Sequence, residues 1–261
     1  MQDFFDLNPE SIDPAEQVIR VRQTLKEIID FFEKLPLKED VPFNSYQQYQ
    51  RFCYKKYIKN IDIKILEESR AFMVPDTMKI TDLPLKYRAE QYGLCKNNNL
   101  TVAGRMCFPV MDFEENIMGF VAHDKFTQPK YLDIKTYGYI PKKTTLLGME
   151  KMRDYYETVE PVFIPEGLGC MLYLRSRGFK ALAALGSYLQ PYVLNIIHRI
   201  KNPIIVPDSD SAGNKLRTQA LKEGFKIFTV PYTLGKDIDD ARLVNESIIL
   251  QMLNNLRKGG I

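Results

Sequence analysis

The stretch Pro203-Ile-Ile-Val-Pro-Asp-Ser-Asp-Ser-Ala-Gly213 decides the fold of this chain. An apolar run of strand length is followed by two aspartates, and a glycine then opens a helical pattern. A similar order recurs, because Glu166 follows an apolar run at 161–165, and Asp237 and Asp239 follow another one. In an open parallel sheet, ligands bind in the crevice at the carboxyl ends of the strands. The pattern therefore predicts that acidic residues gather at one edge of a parallel sheet.

Carboxylates brought this close together repel one another unless cations lie between them. Hard divalent ions, held by one or two carboxylates together with substrate phosphates, meet that need. We therefore expect two or more Mg²⁺ or Mn²⁺ ions and chemistry on phosphoryl groups. The predicted metal ligands are Glu166, Asp208, Asp210, Asp237 and Asp239, of which Glu166, Asp208 and Asp210 are also the predicted catalytic residues.

Two other interpretations of the aspartates have to be considered. A calcium loop would need an oxygen ligand at its fifth position and a glutamate at its twelfth, where Ala212 and Gln219 stand, so that interpretation fails. Helix capping explains one aspartate before a helix, but not both members of the pair Asp208 and Asp210.

Alternation of strands and helices in the second half of the chain predicts an α/β fold with a mostly parallel sheet covered by helices. The predicted strands are 161–165, 180–185, 203–207 and 225–230, and the predicted helices are 167–177, 190–201, 212–223 and 240–256. The preceding part is strand-rich, with a hairpin formed by 105–112 and 116–122. We expect four segments: an N-terminal helical segment, a mixed α/β subdomain, the parallel-sheet domain and a C-terminal helix, at 1–60, 61–155, 156–245 and 246–261.

The N-terminal segment contains two further patterns. A helix is predicted from Asp13 as N-cap to Pro36, with an apolar stripe that packs on the same chain or, alternatively, docks a partner. Tyrosines alternate with lysines and arginines between Ser45 and Asn60. That composition fits either stacking on single-stranded bases or an amphipathic helix with a tyrosine-rich buried side.

Composition narrows the class of protein. The chain has 261 residues with a net charge of +3, so a nucleic-acid surface has to be a local patch. No apolar run reaches the roughly 20 residues of a membrane helix and no signal peptide is evident, so we expect a cytoplasmic protein. The four cysteines include no C-x-x-C pair, which argues against zinc and against a disulfide framework. His123 and His198 lie in no motif and are interpreted as structural.

At these motifs the chain resembles the catalytic core of bacterial and phage DNA primases, which contains the Toprim fold. The resemblance rests on Glu166-Gly167, Asp208-Ser-Asp-Ser-Ala-Gly213 and Gly235-Lys-Asp-Ile-Asp239, and on the strand and turn at 181–189. Upstream, Arg105-Met-Cys-Phe-Pro-Val-Met-Asp112 resembles the primase hairpin, Lys130-Tyr-Leu132 its lysine-tyrosine-leucine box and Leu146-Leu-Gly-Met149 the segment before the Toprim strand. By this resemblance Arg105, Lys130 and Lys142 face the nucleotide or DNA.

The chain also departs from the family pattern. Cys170 stands where the family usually carries another acid, and Val121, Ala122 and His123 replace a glycine-glycine-arginine sequence. The zinc ribbon and the helicase-contacting domain of cellular primases are not found in this sequence. The lack of these two parts suggests a phage or mobile-element protein, which would act in the host cytoplasm. Alternatively, the protein works with a separate zinc-ribbon module.

The resemblance implies a primase that makes short RNA primers on a single-stranded DNA template from ribonucleoside triphosphates, together with a replicative helicase. Two alternatives stay open. One is a Toprim nuclease that cleaves phosphodiesters with similar acids, and the other is an inactive core that only binds nucleic acid or a helicase.

Overall fold

The structure is a computed structural model that describes residues 14–34, 61–88, 92, 94–123, 131–134 and 146–259. The tyrosine-rich segment from Ser45 to Asn60, Lys130 and Lys142 lie outside these residues. The chain divides into two compact units. The first contains residues 1–57, 70–109 and 116–142, and the second contains 58–69, 110–115 and 143–261.

The first unit is built around a four-stranded sheet. Its elements are helix α1 (Pro14–Glu33) and strands β1 (Phe72–Met73), β4 (Met106–Met111, of which the last two residues are assigned to the second unit), β5 (Ile117–His123) and β6 (Tyr131–Ile134), with a small hairpin of β2 (Cys95–Lys96) and β3 (Asn99–Leu100). The order of the strands in the sheet is β1-β4-β5-β6. The predicted helix and hairpin are therefore confirmed. Helix α1 contacts β1 and β5, and its Phe32 ring stacks on Phe72 with centroids 4.7 Å apart. The apolar stripe of α1 thus packs on the same chain.

The second unit holds the parallel sheet that the alternating pattern predicts. Its strands are β7 (Val162–Pro165), β8 (Lys180–Ala181), β9 (Pro203–Val206) and β10 (Lys226–Ile227), in the order β10-β9-β7-β8, and every pair is parallel. Its helices are α2 (Ile63–Glu68), α3 (Met152–Tyr156), α4 (Leu168–Ser176), α5 (Pro191–Ile197), α6 (Ser211–Lys222) and α7 (Ile238–Arg257). The mixed α/β fold class is confirmed, and the edge strands β8 and β10 are shorter than predicted.

The proposed boundary between residues 245 and 246 falls inside helix α7. Asn245 has non-helical backbone angles, φ −157° and ψ 92°, so the helix is kinked at this residue. The Asn245 side chain accepts a hydrogen bond from the Ile248 backbone N–H at 3.2 Å, which caps the second half of the helix. The four segment boundaries remain a proposal.

Apolar side chains on one face of the parallel sheet form a core of the second unit, and Phe163 and Ile204 on the opposite face are buried as well. Val162, Ile164 and Ile205 from the central strands are buried together with Leu216 and Ala220 of α6. Central strands of a parallel sheet are covered by helices on both faces, which is why β7 and β9 are almost uniformly apolar.

A buried arginine connects three segments around this core. Arg175 of α4 is 8% exposed, and its guanidinium donates hydrogen bonds to the carbonyls of Ala181 and Gly148 and to the Glu150 carboxylate, at 2.8, 3.0 and 3.0 Å. Removing one partner of a buried ion pair typically costs about 3–5 kcal/mol, because the other charge is left without compensation. Gly148 has φ +93°, and a Cβ at that position would lie 2.3 Å from Arg175 Nη2, so the turn requires glycine.

Among the described residues, none of the helices has the length and apolar content needed to cross a membrane.

Candidate active site

The register of the two central strands brings Glu166 and Asp208 to the same edge of the sheet. Pro165 at the end of β7 pairs with Val206 at the end of β9. Neighbouring strands lie about 4.8 Å apart, so the residues that follow these two ends are neighbours. Glu166 follows Pro165 directly, and Asp208 comes two residues after Val206. Glu166 is also among the charges that act on Asp208.

Asp208 lies at the centre of an acidic group that also contains Glu166, Asp210 and Asp237. Burial, repulsion from Asp237 and Glu166 and a smaller repulsion from Asp210 raise the pKa of Asp208 from 3.8 to about 7, against the attraction of Lys236. A carboxylate that shares a partly buried site with other carboxylates resists ionisation in this way. The sequence prediction that Glu166, Asp208, Asp210 and Asp237 gather is therefore consistent with the electrostatics of the site.

Asp210 is the N-cap of helix α6. Its Oδ1 accepts a hydrogen bond from the Gly213 backbone N–H at 2.9 Å. Gly213 passes so close to the preceding loop that an added Cβ would lie 2.0 Å from the Asp208 carbonyl oxygen. Glycine is needed here for close backbone approach, and it fixes the distance between helix α6 and the loop that carries both aspartates.

Asp237 is the N-cap of helix α7, as Asp210 is the N-cap of helix α6. Its Oδ1 accepts a hydrogen bond from the Asp240 backbone N–H at 2.8 Å. Burial raises the pKa of Asp237, and the N–H of Asp240 opposes that change. Gly235 has φ +140°, and a Cβ there would lie 2.7 Å from the Cβ of Asp240. The backbone N–H of Ser209 donates to the Lys236 carbonyl at 2.6 Å, which holds the 235–237 turn against the loop that carries Asp208.

Asp239 makes a different contact. Its Oδ1 accepts hydrogen bonds from Arg242 Nε at 2.7 Å and pairs with Arg242 Nη2 at 2.6 Å. The structure thus neutralises Asp239 with an arginine of the same helix, three residues later in the chain.

Cys170 is the third residue of α4, four residues after Glu166, and is 4% exposed. The backbone N–H of Asp239 donates to its sulfur, and burial together with the nearby Asp237 raises the pKa of the thiol well above its usual value. The neutral thiol therefore contacts the start of α7 without adding negative charge to the acidic group.

Lys236 also belongs to this site, although the sequence motifs did not predict a role for it. Its Nζ lies 3.7 Å from Asp208 Oδ2 and 4.0 Å from Asp237 Oδ2. The signal in the sequence is its place between Gly235 and Asp237, but nothing in that spacing shows that the ammonium group reaches back to Asp208. It partly balances the charge of the two aspartates.

Of the three predicted nucleotide- or DNA-binding residues, the structure describes only Arg105. Arg105 precedes β4 in the first unit and is 7% exposed, while Lys130 and Lys142 lie outside the described residues. His123 is buried on β5, and His198 contacts Glu223 at 3.1 Å and packs on the Phe225 ring.

Within the described ranges, no three or more His, Cys, Asp or Glu side chains are placed closely enough to hold a metal ion by themselves. One oxygen of Asp210 and one of Asp237 cap helices, and Asp239 pairs with Arg242. The donor set still fits Mg²⁺, because this ion needs only one or two carboxylates when substrate phosphates and water complete its shell. Glu166 and Asp208 supply that number, so the residues fit an ion that arrives with a nucleotide.

Comparison with solved structures identifies the fold. The chain superposes on a DnaG primase catalytic domain bound to single-stranded DNA with a TM-score of 0.73 and 17% identity, covering 93% of this chain and 80% of that one. It matches the Escherichia coli primase catalytic core with a TM-score of 0.70 and 18% identity over 89% and 79% of the two chains. A primase domain from Pseudomonas aeruginosa gives a TM-score of 0.67 and 17% identity over 91% and 78%.

Neither a protein-family model nor a curated protein matches the chain. The structural matches confirm the resemblance that the motifs indicated, and this chain has the fold of the bacterial DNA primase catalytic core.

Proposed function

We propose that the chain is a DNA primase core that synthesises short RNA primers on single-stranded DNA from ribonucleoside triphosphates. The observation that carries the proposal is the electrostatic interaction of Asp208 with Glu166 and Asp237, since Glu166 and Asp208 follow the paired ends of the parallel strands β7 and β9. This acidic group occurs in a fold whose solved relatives are primase cores.

The reaction would join the 3′-oxygen of one nucleotide to the α-phosphorus of the next. The new oxygen–phosphorus bond forms as the bond to pyrophosphate breaks, and the hydroxyl proton passes to a carboxylate such as Glu166 or to water. Without a bound cation, burial and the neighbouring carboxylates raise the pKa of Asp208 to about 7, so a divalent ion that binds this carboxylate would displace its proton. The caps at Asp210 and Asp237 fix the loops on which these carboxylates stand, so the acids are oriented before the substrates bind.

A divalent ion has a clear place in this proposal. Glu166 and Asp208 would hold Mg²⁺ or Mn²⁺, with Asp210, Asp237 and Asp239 around them. When bound, the ion would offset the negative charge of the triphosphate. Lys236 lies within 4.0 Å of both Asp208 and Asp237, so an incoming cation would meet an ammonium group already at the site.

Further parts of the proposal concern partners. Arg105, Lys130 and Lys142 would contact phosphates of the template or the nucleotide. A replicative helicase or a separate zinc-ribbon module would assist template recognition, and the protein would act in the cytoplasm, that of the host if a phage encodes it. We do not favour the nuclease or the inactive binding module, because the structures matched above are primase cores.

Primer synthesis is the decisive measurement. The protein is incubated with single-stranded DNA, labelled ribonucleotides and Mg²⁺ or Mn²⁺, and the products are separated by size. We expect short RNA from the wild type and none above background from Asp208→Ala or Glu166→Gln. Asp154→Asn is the matched control, because Asp154 is an exposed aspartate of α3 in the same unit and should leave the yield unchanged.

The possible results separate the candidate functions. Shortened DNA would identify a nuclease, and a stable complex without either product would identify a binding module. A normal yield of RNA from the Asp208→Ala protein would reject the assignment of the site.

A further inference from the structure

A small pocket of about 440 Å³ lies beside the loop that carries the two aspartates. Its lining includes Ser209, Asn214, Arg217, Thr229 and Tyr232. Ser209 stands between Asp208 and Asp210 in the chain, so the pocket adjoins the acidic group. All of these residues belong to the second unit. None of them is part of the motifs on which the primase resemblance rests, except Ser209.

Arg217 of helix α6 is the only charged residue among the described residues that line the pocket. Its Nη2 donates a long hydrogen bond of 3.3 Å to Thr229 Oγ1. Its Nε is buried and, among the described residues, has no hydrogen-bond partner. A guanidinium group carries five N–H donors, so this arginine retains donors for an acceptor that the described chain does not supply.

The chemistry of the lining favours an anion. Within the part of the chain that the structure describes, the lining contains one cation and no carboxylate, since Asp208 and Asp210 flank the pocket without lining it. Asn214 and Thr229 add an amide and a hydroxyl group that can hydrogen-bond phosphate oxygens. The planar guanidinium matches a phosphate with two parallel hydrogen bonds.

An aromatic ring at the rim of the pocket further restricts the kind of ligand that would fit. Tyr232 is 88% exposed, although large aromatic side chains usually cover more of their surface. Bases of single-stranded nucleic acid stack on exposed aromatic rings, and an adjacent positive charge binds the backbone. A guanidinium and an exposed ring at one pocket therefore fit a phosphate with its attached nucleoside.

We propose that this pocket is a phosphate-binding subsite that holds one phosphate of a nucleotide unit next to the acidic group, with the base against Tyr232. The phosphate belongs either to a nucleic-acid strand or to a free nucleoside triphosphate. The inference rests on the proposed function insofar as it assumes a nucleotide ligand, but its test does not require catalysis.

Binding to a fluorescein-labelled single-stranded oligothymidylate is measured by anisotropy over a range of salt concentrations. Binding to ATP with Mg²⁺ is measured by calorimetry. Arg217→Gln should weaken binding about ten-fold, which corresponds to the smallest typical contribution of a hydrogen bond to a charged group. If the phosphate is part of a strand, the slope of log affinity against log salt should also fall by about 0.7, the value for one phosphate contact on a single strand. Arg199→Gln is the matched control, because Arg199 is exposed in the same unit and does not line this pocket.

Tyr232→Leu provides a second measurement that does not depend on how Arg217→Gln folds, since the Tyr232 side chain is almost fully exposed. It should weaken binding about five-fold or more through lost stacking. A loss confined to the oligothymidylate assigns the subsite to a strand, and a loss confined to ATP assigns it to the triphosphate. Affinities of Arg217→Gln and Tyr232→Leu equal to those of Arg199→Gln for both ligands would overturn the subsite.

These results are separable from the failure of the primase proposal. If the wild type makes primers but the pocket variants bind like the control, only the subsite is refuted. If the wild type makes no primers but Arg217→Gln loses ligand, the subsite stands and the primase function falls.

Discussion

Replacing Asp208 with asparagine should stabilise the fold at neutral and alkaline pH while it stops primer synthesis. In the folded protein, burial and the neighbouring Asp237 and Glu166 raise the pKa of Asp208 from 3.8 to about 7. The unfolded chain loses this proton near the ordinary value, whereas the folded protein keeps it until about pH 7. The free energy of unfolding therefore falls as the pH rises through this window, and the loss is complete above it.

The magnitude follows from the size of the shift. Each pKa unit corresponds to about 1.4 kcal/mol, so a shift from 3.8 to about 7 sets a ceiling of about 4 kcal/mol. The Asp208 side chain is 18% exposed, so solvent screens part of this energy, whereas the attraction of Lys236 at 3.7 Å is already contained in the shift. With the effective dielectric constant of such sites, we expect about 1–2 kcal/mol.

Urea unfolding in the presence of a chelator, from about pH 4 to about pH 9, measures this energy. The wild type and Asp208→Asn should have similar free energies of unfolding at the acid end, and the variant should be about 1–2 kcal/mol more stable at the alkaline end. Asp154→Asn, at an exposed position, should follow the wild type within about 0.5 kcal/mol. A wild-type curve that rises with pH relative to Asp208→Asn would refute the buried acidic group.

Substitutions of Gly213 and Asp210 test the loop that holds the acids. Gly213→Ala gains about 1 kcal/mol of helix propensity, but the new Cβ would lie 2.0 Å from the Asp208 carbonyl oxygen. Since such overpacking costs about 1–3 kcal/mol or more, we expect a net loss of stability in urea unfolding and a lower primer yield. Ala212→Gly, at the exposed position before it, measures the propensity effect alone, and a Gly213→Ala protein more stable than the wild type would contradict the close approach. Asp210→Asn keeps a side-chain oxygen for the Gly213 N–H, so it should retain stability but lose primer synthesis, whereas Asp210→Ala should also lose about 1 kcal/mol through the missing cap. Equal activity of Asp210→Asn and the wild type would show that Asp210 is only a cap.

Several features of the fold were predictable because they depend on short-range patterns. The stripe of α1 shows helical spacing, and the alternation of apolar runs with helical segments indicates a parallel sheet. The glycine that opens the helical pattern at 213 lies at the start of α6, where the backbone approaches the Asp208 loop closely. Edge strands were predicted too long, because apolar residues continue past the last ladder pair: Phe228, for example, is buried but lies outside β10.

The candidate site was predictable only in part. The positions of the acids after strands β7 and β9 follow from the motifs, and the capping interpretation correctly accounts for one aspartate of the pair, Asp210. The pairing of Asp239 with Arg242 and the position of Lys236 between two aspartates depend on side-chain directions at helix starts. No spacing rule fixes those directions.

Sequence alone determined the order of strands and helices and the placement of acidic residues after the strands, because both are written in local periodicity and in residues adjacent along the chain. Tertiary structure alone decided which acids meet, that Lys236 reaches back to Asp208, and that Arg217 lines a pocket beside them. Those outcomes depend on strand register and on contacts between residues that are distant in sequence. The Pro165–Val206 pairing and the Ser209–Lys236 hydrogen bond, which form only when the sheet assembles, fix them.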